Sequence, residues 1–209
     1  DEGMTSPLLK VWFANARDGY ALGAYGVFLR TRDGGESWVM DGNRLDNPDK
    51  YHLYDIARSS AGTLLIAGEA GTLLRSLDDG ENWERIEAIY SGSFFGAVAA
   101  NDDSLLIFGL RGNVFRSTDD GASWSSVETG DQRTLLDGVM QADGTIILVG
   151  SAGAVESSKD NGATFRTIPT TGNRVYSGVI GDADGKILLV GFGGISLIDD
   201  DTASGSDHD

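Results

Sequence analysis

Gly112-Asn113-Val114-Phe115-Arg116-Ser117-Thr118-Asp119-Asp120-Gly121-Ala122-Ser123-Trp124 decides the fold, because the chain keeps returning to it. It begins on the second glycine of a Gly-x-x-Gly frame, Gly109-Leu110-Arg111-Gly112. Four more such frames occur: Gly23-Ala24-Tyr25-Gly26, Gly68-Glu69-Ala70-Gly71, Gly150-Ser151-Ala152-Gly153 and Gly191-Phe192-Gly193-Gly194. Successive frames are 45, 41, 41 and 41 residues apart. Seven residues beyond each frame stands an aspartate: Asp33, Asp78, Asp119, Asp160 and Asp201.

In four units that aspartate belongs to a longer motif, Ser/Thr-x-Asp-x-Gly-x-x-aromatic. Its members are Asp33, Gly35 and Trp38; Asp78, Gly80 and Trp83; Asp119, Gly121 and Trp124; and Asp160, Gly162 and Phe165. The hydroxyl and carboxylate close an Asx-type turn on nearby backbone. The glycine supplies positive φ at the hairpin tip. The aromatic opens the next strand and buries a large apolar area beneath the turn. This is a turn lock, and its role is structural. In the fifth unit it has decayed to Asp199-Asp200-Asp201, with no aromatic.

Working outward, each Gly-x-x-Gly is preceded by an apolar strand, such as Leu105 to Phe108 or Ile146 to Val149. Before that strand comes a turn such as Asn101-Asp102-Asp103 or Ala142-Asp143-Gly144, and before the turn another strand, such as Phe94 to Ala99. A short fourth strand follows the motif, as in Trp83 to Ile86. Four antiparallel strands in about 41 residues make one blade of a β-propeller. The sequence therefore predicts an all-β chain, a propeller of four-stranded antiparallel blades with five repeat units. A single domain over 1–198 is expected, with units at about 8–41, 51–88, 93–128, 134–169 and 174–198, and a disordered acidic tail over 199–209. The fifth unit lacks its fourth strand, and the arm Met4 to Leu9 is expected to supply it and close the ring.

The motif resembles the Asp box, or bacterial neuraminidase repeat. Whole units such as Gly71 to Gly80 and Gly112 to Gly121 look more specifically like the repeats of photosystem II stability/assembly-factor-like proteins, over about residues 8 to 198. Members of that family are typically propellers of about seven blades. The resemblance therefore leaves open a smaller ring or part of a larger, seven-bladed one. It implies a protein-interaction or assembly scaffold, non-enzymatic, with a protein partner that extends to membrane-protein complexes. It also implies a periplasmic or otherwise exported location.

Composition narrows the partners. The 209 residues include 32 acidic and 16 basic ones, a formal net charge of −16, which opposes nucleic-acid and anionic-lipid binding. There is no cysteine, so disulfides, thiolate metal sites and thiol nucleophiles are excluded. The two histidines, His52 and His208, lie far apart in sequence, and no metal or cofactor is expected. No apolar run approaches the roughly 20 residues of a membrane helix, so the chain is not expected to span a membrane.

The rival function is a sialidase-like glycoside hydrolase or glycan-binding propeller. Arg30, Arg75 and Arg116 recur at one repeat position and would form an arc on three blades. However, they sit in the strand that leads into the Asp box, where pairing with acidic neighbours is the simpler role. The preferred surface is the opposite face, made of the Gly-x-x-Gly turns and the inter-blade connections. The first connection, Asp41 to His52, carries four extra residues. Loops on a rigid scaffold commonly carry function, and arginine and aromatics are enriched at interface hot spots. The candidate partner-binding residues there are Arg44, Tyr51, His52, Tyr90, Arg111, Arg133 and Arg174, with Tyr25 and Phe192 on the same face.

Overall fold

A computed structural model describes residues 5–87, 89–130, 132–181 and 186–199. It contains strands and one-turn 3₁₀ segments only. The first blade is β1 (Leu8–Phe13), β2 (Gly19–Gly23), β3 (Phe28–Thr31) and β4 (Val39–Met40). The second is β5 (Leu53–Arg58), β6 (Leu64–Gly68), β7 (Leu73–Ser76) and β8 (Glu84–Arg85). The third is β9 (Phe94–Ala99), β10 (Leu105–Gly109), β11 (Val114–Ser117) and β12 (Ser125–Val127). The fourth is β13 (Leu135–Met140), β14 (Ile146–Gly150), β15 (Val155–Ser158) and β16 (Arg166–Thr167). The fifth has, among the described residues, three strands, β17 (Tyr176–Gly181), β18 (Lys186–Gly191) and β19 (Gly194–Asp199). Within every blade consecutive strands pair antiparallel. The fold is thus the expected propeller.

The glycine frames are shaped by a close approach. A Cβ on Gly109 would lie 2.2 Å from the Ser93 carbonyl oxygen, and one on Gly150 only 1.9 Å from that of Thr134. The second glycine of each frame has positive φ, and so does the residue before it: Tyr25 (58°), Ala70 (51°), Arg111 (60°) and Ala152 (50°). The Asp box closes as its residues require. In the third blade Ser117 Oγ donates to Asp119 Oδ1 (2.8 Å) and accepts from the Gly121 amide (2.9 Å). Asp119 in turn accepts from the Ser123 amide (2.8 Å) and hydroxyl (2.6 Å), and Trp124 Nε1 donates to the Gly121 carbonyl (3.1 Å). Donation from Ser123 and Ser117 holds the Asp119 carboxyl down to about 2, and Asn82 and Ser76 hold Asp78 down to about 2.

The core consists of layers between neighbouring blades. Tyr20, Leu22 and Phe28 of the first blade meet Leu53, Ile66 and Trp83 of the second. Leu65 and Leu73 meet Phe94 and Ile107, and Phe108 and Val114 meet Leu135 and Leu148. Val149 and Val155 meet Tyr176 and Leu189. The inner strands pack in the order β1, β5, β9, β13, β17, and no comparable packing joins β17 back to β1 among the described residues. Among the described residues the five blades therefore stand as an arc. Most of the exposed large apolar side chains lie in its end blades: Leu8, Leu9, Val11, Phe13, Val39 and Met40 in the first, and Ile180, Val190, Ile195 and Leu197 in the fifth.

One expectation is corrected. The arm does not complete the fifth blade: Leu8 and Leu9 open β1, where Leu8 pairs with Gly23 and the Pro7 carbonyl accepts from the Ala24 amide (3.0 Å). Those bonds commit the arm to the first blade. Met4 and the tail over 200–209 lie outside the described residues, as do Asp201 and His208.

Two aspartates fasten the inner strands to one another. Asp55 Oδ2 accepts from the Ala97 amide of the next blade (3.1 Å), and Asp137 Oδ2 accepts from the Val179 amide (2.9 Å). Asp55 is only 3% exposed and binds Lys10 Nζ of the preceding blade at 2.7 Å. Burial pushes the Asp55 carboxyl upward against Lys10 and the amides of Ala97 and Ile56. Burial also opposes the Lys10 charge, but Asp55 outweighs it and raises the lysine.

Candidate functional site: the loop face

In a four-stranded meander the first and third turns lie on one edge and the second turn on the other. The Asp boxes therefore share one face of the arc with the β1–β2 type turns. The Gly-x-x-Gly frames share the opposite face, the loop face, with the connections between blades.

On the Asp-box face the recurring arginines bridge blades. Arg30 Nη2 donates to Glu81 Oε1 of the second blade (2.6 Å), Arg75 Nη1 to the Asp120 carbonyl of the third (2.8 Å), and Arg116 Nε to the Asn161 carbonyl of the fourth (2.8 Å). Arg75 also pairs with Glu84, and Arg116 with Asp102 at 2.7 Å. Each side chain on the third strand thus grips the next blade's Asp-box hairpin, so the arc that suggested a sialidase is a set of inter-blade struts. Arg32 and Arg58 also reach carboxylates, on Glu81 and Asp79. A cavity of about 290 Å³ at this face collects Arg30, Arg32 and Arg58 together with Asp18, Asp79 and Glu81, balanced in charge.

The loop face differs. Arg111 projects from the third-blade frame, is exposed, and has no carboxylate partner among the described residues. Arg133 and Arg174 converge on the turn Ser151–Gly153. Arg133 Nη1 donates to the Ala152 carbonyl (3.0 Å), and the Arg174 carbonyl accepts from the Gly153 amide (2.5 Å). The Arg174 guanidinium reaches Ser196 Oγ (3.0 Å) and, among the described residues, no carboxylate.

At the other end of this face the aromatics line up. Tyr25, 64% exposed, meets the His52 ring edge-on at 5.0 Å; His52 lies 6.1 Å from Tyr54, and Tyr54 lies 5.0 Å from Phe95. Burial and the Glu69 carboxylate raise the Tyr54 hydroxyl pKa. The longer first connection is held in shape by Asn47, whose side chain accepts from the Tyr51 amide (3.0 Å) and donates to the Tyr51 carbonyl (2.9 Å). With the Tyr25 turn it encloses a cleft of about 540 Å³ lined by Val27, Met40, Leu45, Pro48 and Lys50.

Of the seven residues singled out from sequence, His52, Arg111, Arg133 and Arg174 lie on this face: His52 between Tyr25 and Tyr54, Arg133 on the Ala152 carbonyl, Arg174 on Ser196, and Arg111 exposed. Two others have internal roles. Arg44 is held by Asp41 Oδ1 (2.8 Å) and the Glu81 carbonyl (2.8 Å), and Tyr90 packs on Phe94 and Phe115. Tyr51 is half-buried, its backbone fixed by Asn47.

The family model described as photosynthesis system II assembly factor YCF48 matches residues 2–130, more than half of the chain. The chain belongs to this family. Among solved structures, "YCF48 bound to D1 peptide" superposes with a TM-score of 0.75 at 21% identity, over 95% of this chain and 65% of that one. YCF48 from Cyanidioschyzon merolae gives 0.72 at 18% identity, over 95% and 69%. The extracellular domain of a hybrid two-component system from B. thetaiotaomicron gives 0.75 at 11% identity, over 100% and 30%. This chain therefore spans about two thirds of the two YCF48 structures. No curated protein matches it. The family match covers the first three blades, which carry the aromatic line and Arg111.

Sequence reasoning did not find Tyr54 and Phe95. The signal was there: each inner strand starts with two adjacent residues, Leu8-Leu9, Leu53-Tyr54, Phe94-Phe95, Leu135-Leu136 and Tyr176-Ser177, where strict alternation calls for one buried and one exposed. Four of the five pairs are wholly apolar or aromatic. Among the described residues no group of three or more His, Asp or Glu side chains could hold a metal, and no helix is long and apolar enough to cross a membrane.

Proposed function

We propose that this chain is a non-enzymatic scaffold that holds a protein partner on its loop face, by way of an acidic segment of that partner. One observation carries the reading. Arg30, Arg75 and Arg116 are engaged by the neighbouring blade, whereas Arg111 and Arg174, in a chain of net charge −16, meet no carboxylate among the described residues. Exposed guanidinium groups with no carboxylate partner, on a face that also carries aromatics, are the makings of a protein-binding hot spot. Membership of the assembly-factor family supports it, as does the likeness to a relative solved with a bound peptide. The glycosidase reading loses its arginine arc to the struts. By the same family likeness the partner is a segment of a membrane-protein complex, met in the periplasm or another exported compartment.

The test is binding of a fluorescently labelled acidic peptide to the chain at two salt concentrations. Arg111→Ala/Arg174→Ala should weaken binding and flatten its salt dependence, while Arg75→Ala leaves both intact. Equal binding by the Arg111/Arg174 variant overturns the assignment. Localisation is tested by fractionating cells that express the natural gene; recovery of the protein in the cytosol alone removes the exported location.

A further inference from the structure

Every inner strand opens on a bulge at the same register, just before Lys10, Asp55, Gly96, Asp137 and Gly178. The unpaired residues are Leu9, Tyr54, Phe95, Leu136 and Ser177. A bulge leaves one residue out of the ladder and re-aims its side chain, which is why bulges gather at binding sites. Five in register place one such side chain per blade at the loop-face end of the arc's inner side. Chemically the five differ: only the second and third blades present aromatics. Tyr54 and Phe95 continue outward through His52 to Tyr25, which is held at φ 58° on its turn and borders the cleft of the first connection.

We propose that Tyr25, His52, Tyr54 and Phe95 form a track that seats alternate apolar side chains of an extended acidic peptide, with Arg111 meeting its carboxylates. This rests on the loop-face reading above and names the partner segment's chemistry. Same-side residues of an extended chain stand about 6.6–6.8 Å apart, somewhat wider than the 5.0–6.1 Å steps between successive rings and of the same order. The rings meet edge-on, at 77°, 72° and 61°, so the track has ridges and gaps that take side chains and lacks the flat platform a sugar ring would stack on. Charge selects an acidic segment, because Arg111 at the third-blade tip is unpaired among the described residues.

Two labelled peptides of equal length and charge decide the matter. In the first, Glu alternates with Leu and Phe; in the second, Ser replaces Leu and Phe. The first should bind the wild-type chain about tenfold or more tightly than the second. Tyr54→Ser/Phe95→Ser should remove that preference, and Arg111→Ala should weaken both peptides alike. If the double variant does not fold, Tyr25→Asn on its exposed turn, where Asn tolerates positive φ, makes the same comparison. Equal binding of the two peptides overturns the track and leaves the charged loop face standing. Binding of neither peptide overturns both.

Discussion

On the Asp-box face Arg30, Arg75 and Arg116 end on a carboxylate or carbonyl of the neighbouring blade; on the loop face, among the described residues, Arg111 and Arg174 do not. Both faces are built from one repeat, so the difference lies in whether an arginine keeps the repeat's period. Arg30, Arg75 and Arg116 occupy one repeat position, and each has a downstream Asp box to grip. In the fourth blade that position is Ser157, and the blade that follows has a decayed Asp box. The periodic arginine thus stops where its receptor stops. At the Arg111 position the other blades carry Tyr25, Ala70, Ala152 and Gly193. A residue that recurs with the repeat serves the repeat, and one that departs from it is free to serve a partner.

Five measurements test whether period and partner divide the arginines in this way. The largest effect should come from Gly150→Ala, which forces a Cβ to 1.9 Å from the Thr134 carbonyl oxygen and should cost about 3 kcal/mol in urea denaturation. Lys10→Met should cost about 2 kcal/mol by leaving Asp55 buried without its cation. Its loss should grow as pH rises, because burial raises the folded Asp55 pKa above the unfolded value and stability of that kind is present at low pH. Arg116→Ala should cost about 1–2 kcal/mol and leave peptide binding unchanged, which separates strut from docking residue. An acid titration should show the Asp boxes failing together. Asp78 and Asp119 have depressed folded pKa values, so their contribution is full above about pH 4 and lost as pH falls to about 2. The smallest change in stability, within about 0.5 kcal/mol, is expected for Arg111→Ala, whose effect belongs to binding alone.

Much of the fold was legible because the repeat supplies the same evidence several times over. Gly-x-x-Gly spaced at 41 residues, Asp-Gly turns and the Asp box fixed four-stranded blades with bounds close to those observed, as at Phe94–Ala99 and Leu135–Met140. The path of the arm was not legible. Leu8 and Leu9 suit any sheet edge, and only the bonding of Pro7, Leu8 and Gly23 assigns them. The site was half legible. Composition pointed to arginine and aromatics on the loop face. That Arg44 is held by Asp41 and Glu81, while Tyr54 is turned out by a bulge, depends on contacts about 37 residues away in sequence and on ladder register. Period counting carries neither.

A row of blades that, among the described residues, pack on their sequence neighbours behaves thermodynamically like a short one-dimensional chain. Its middle link is clamped from both sides and its end links from one, so opening should travel inward from the ends. Amide exchange should then be slowest in β10 and β11, which the second and fourth blades flank, and fastest in β19 and β4. A ligand lying across Tyr25, His52, Tyr54 and Phe95 would tie one fraying end to that slow centre. Slowed exchange in the first blade would then report a bound partner even where the partner makes no contact.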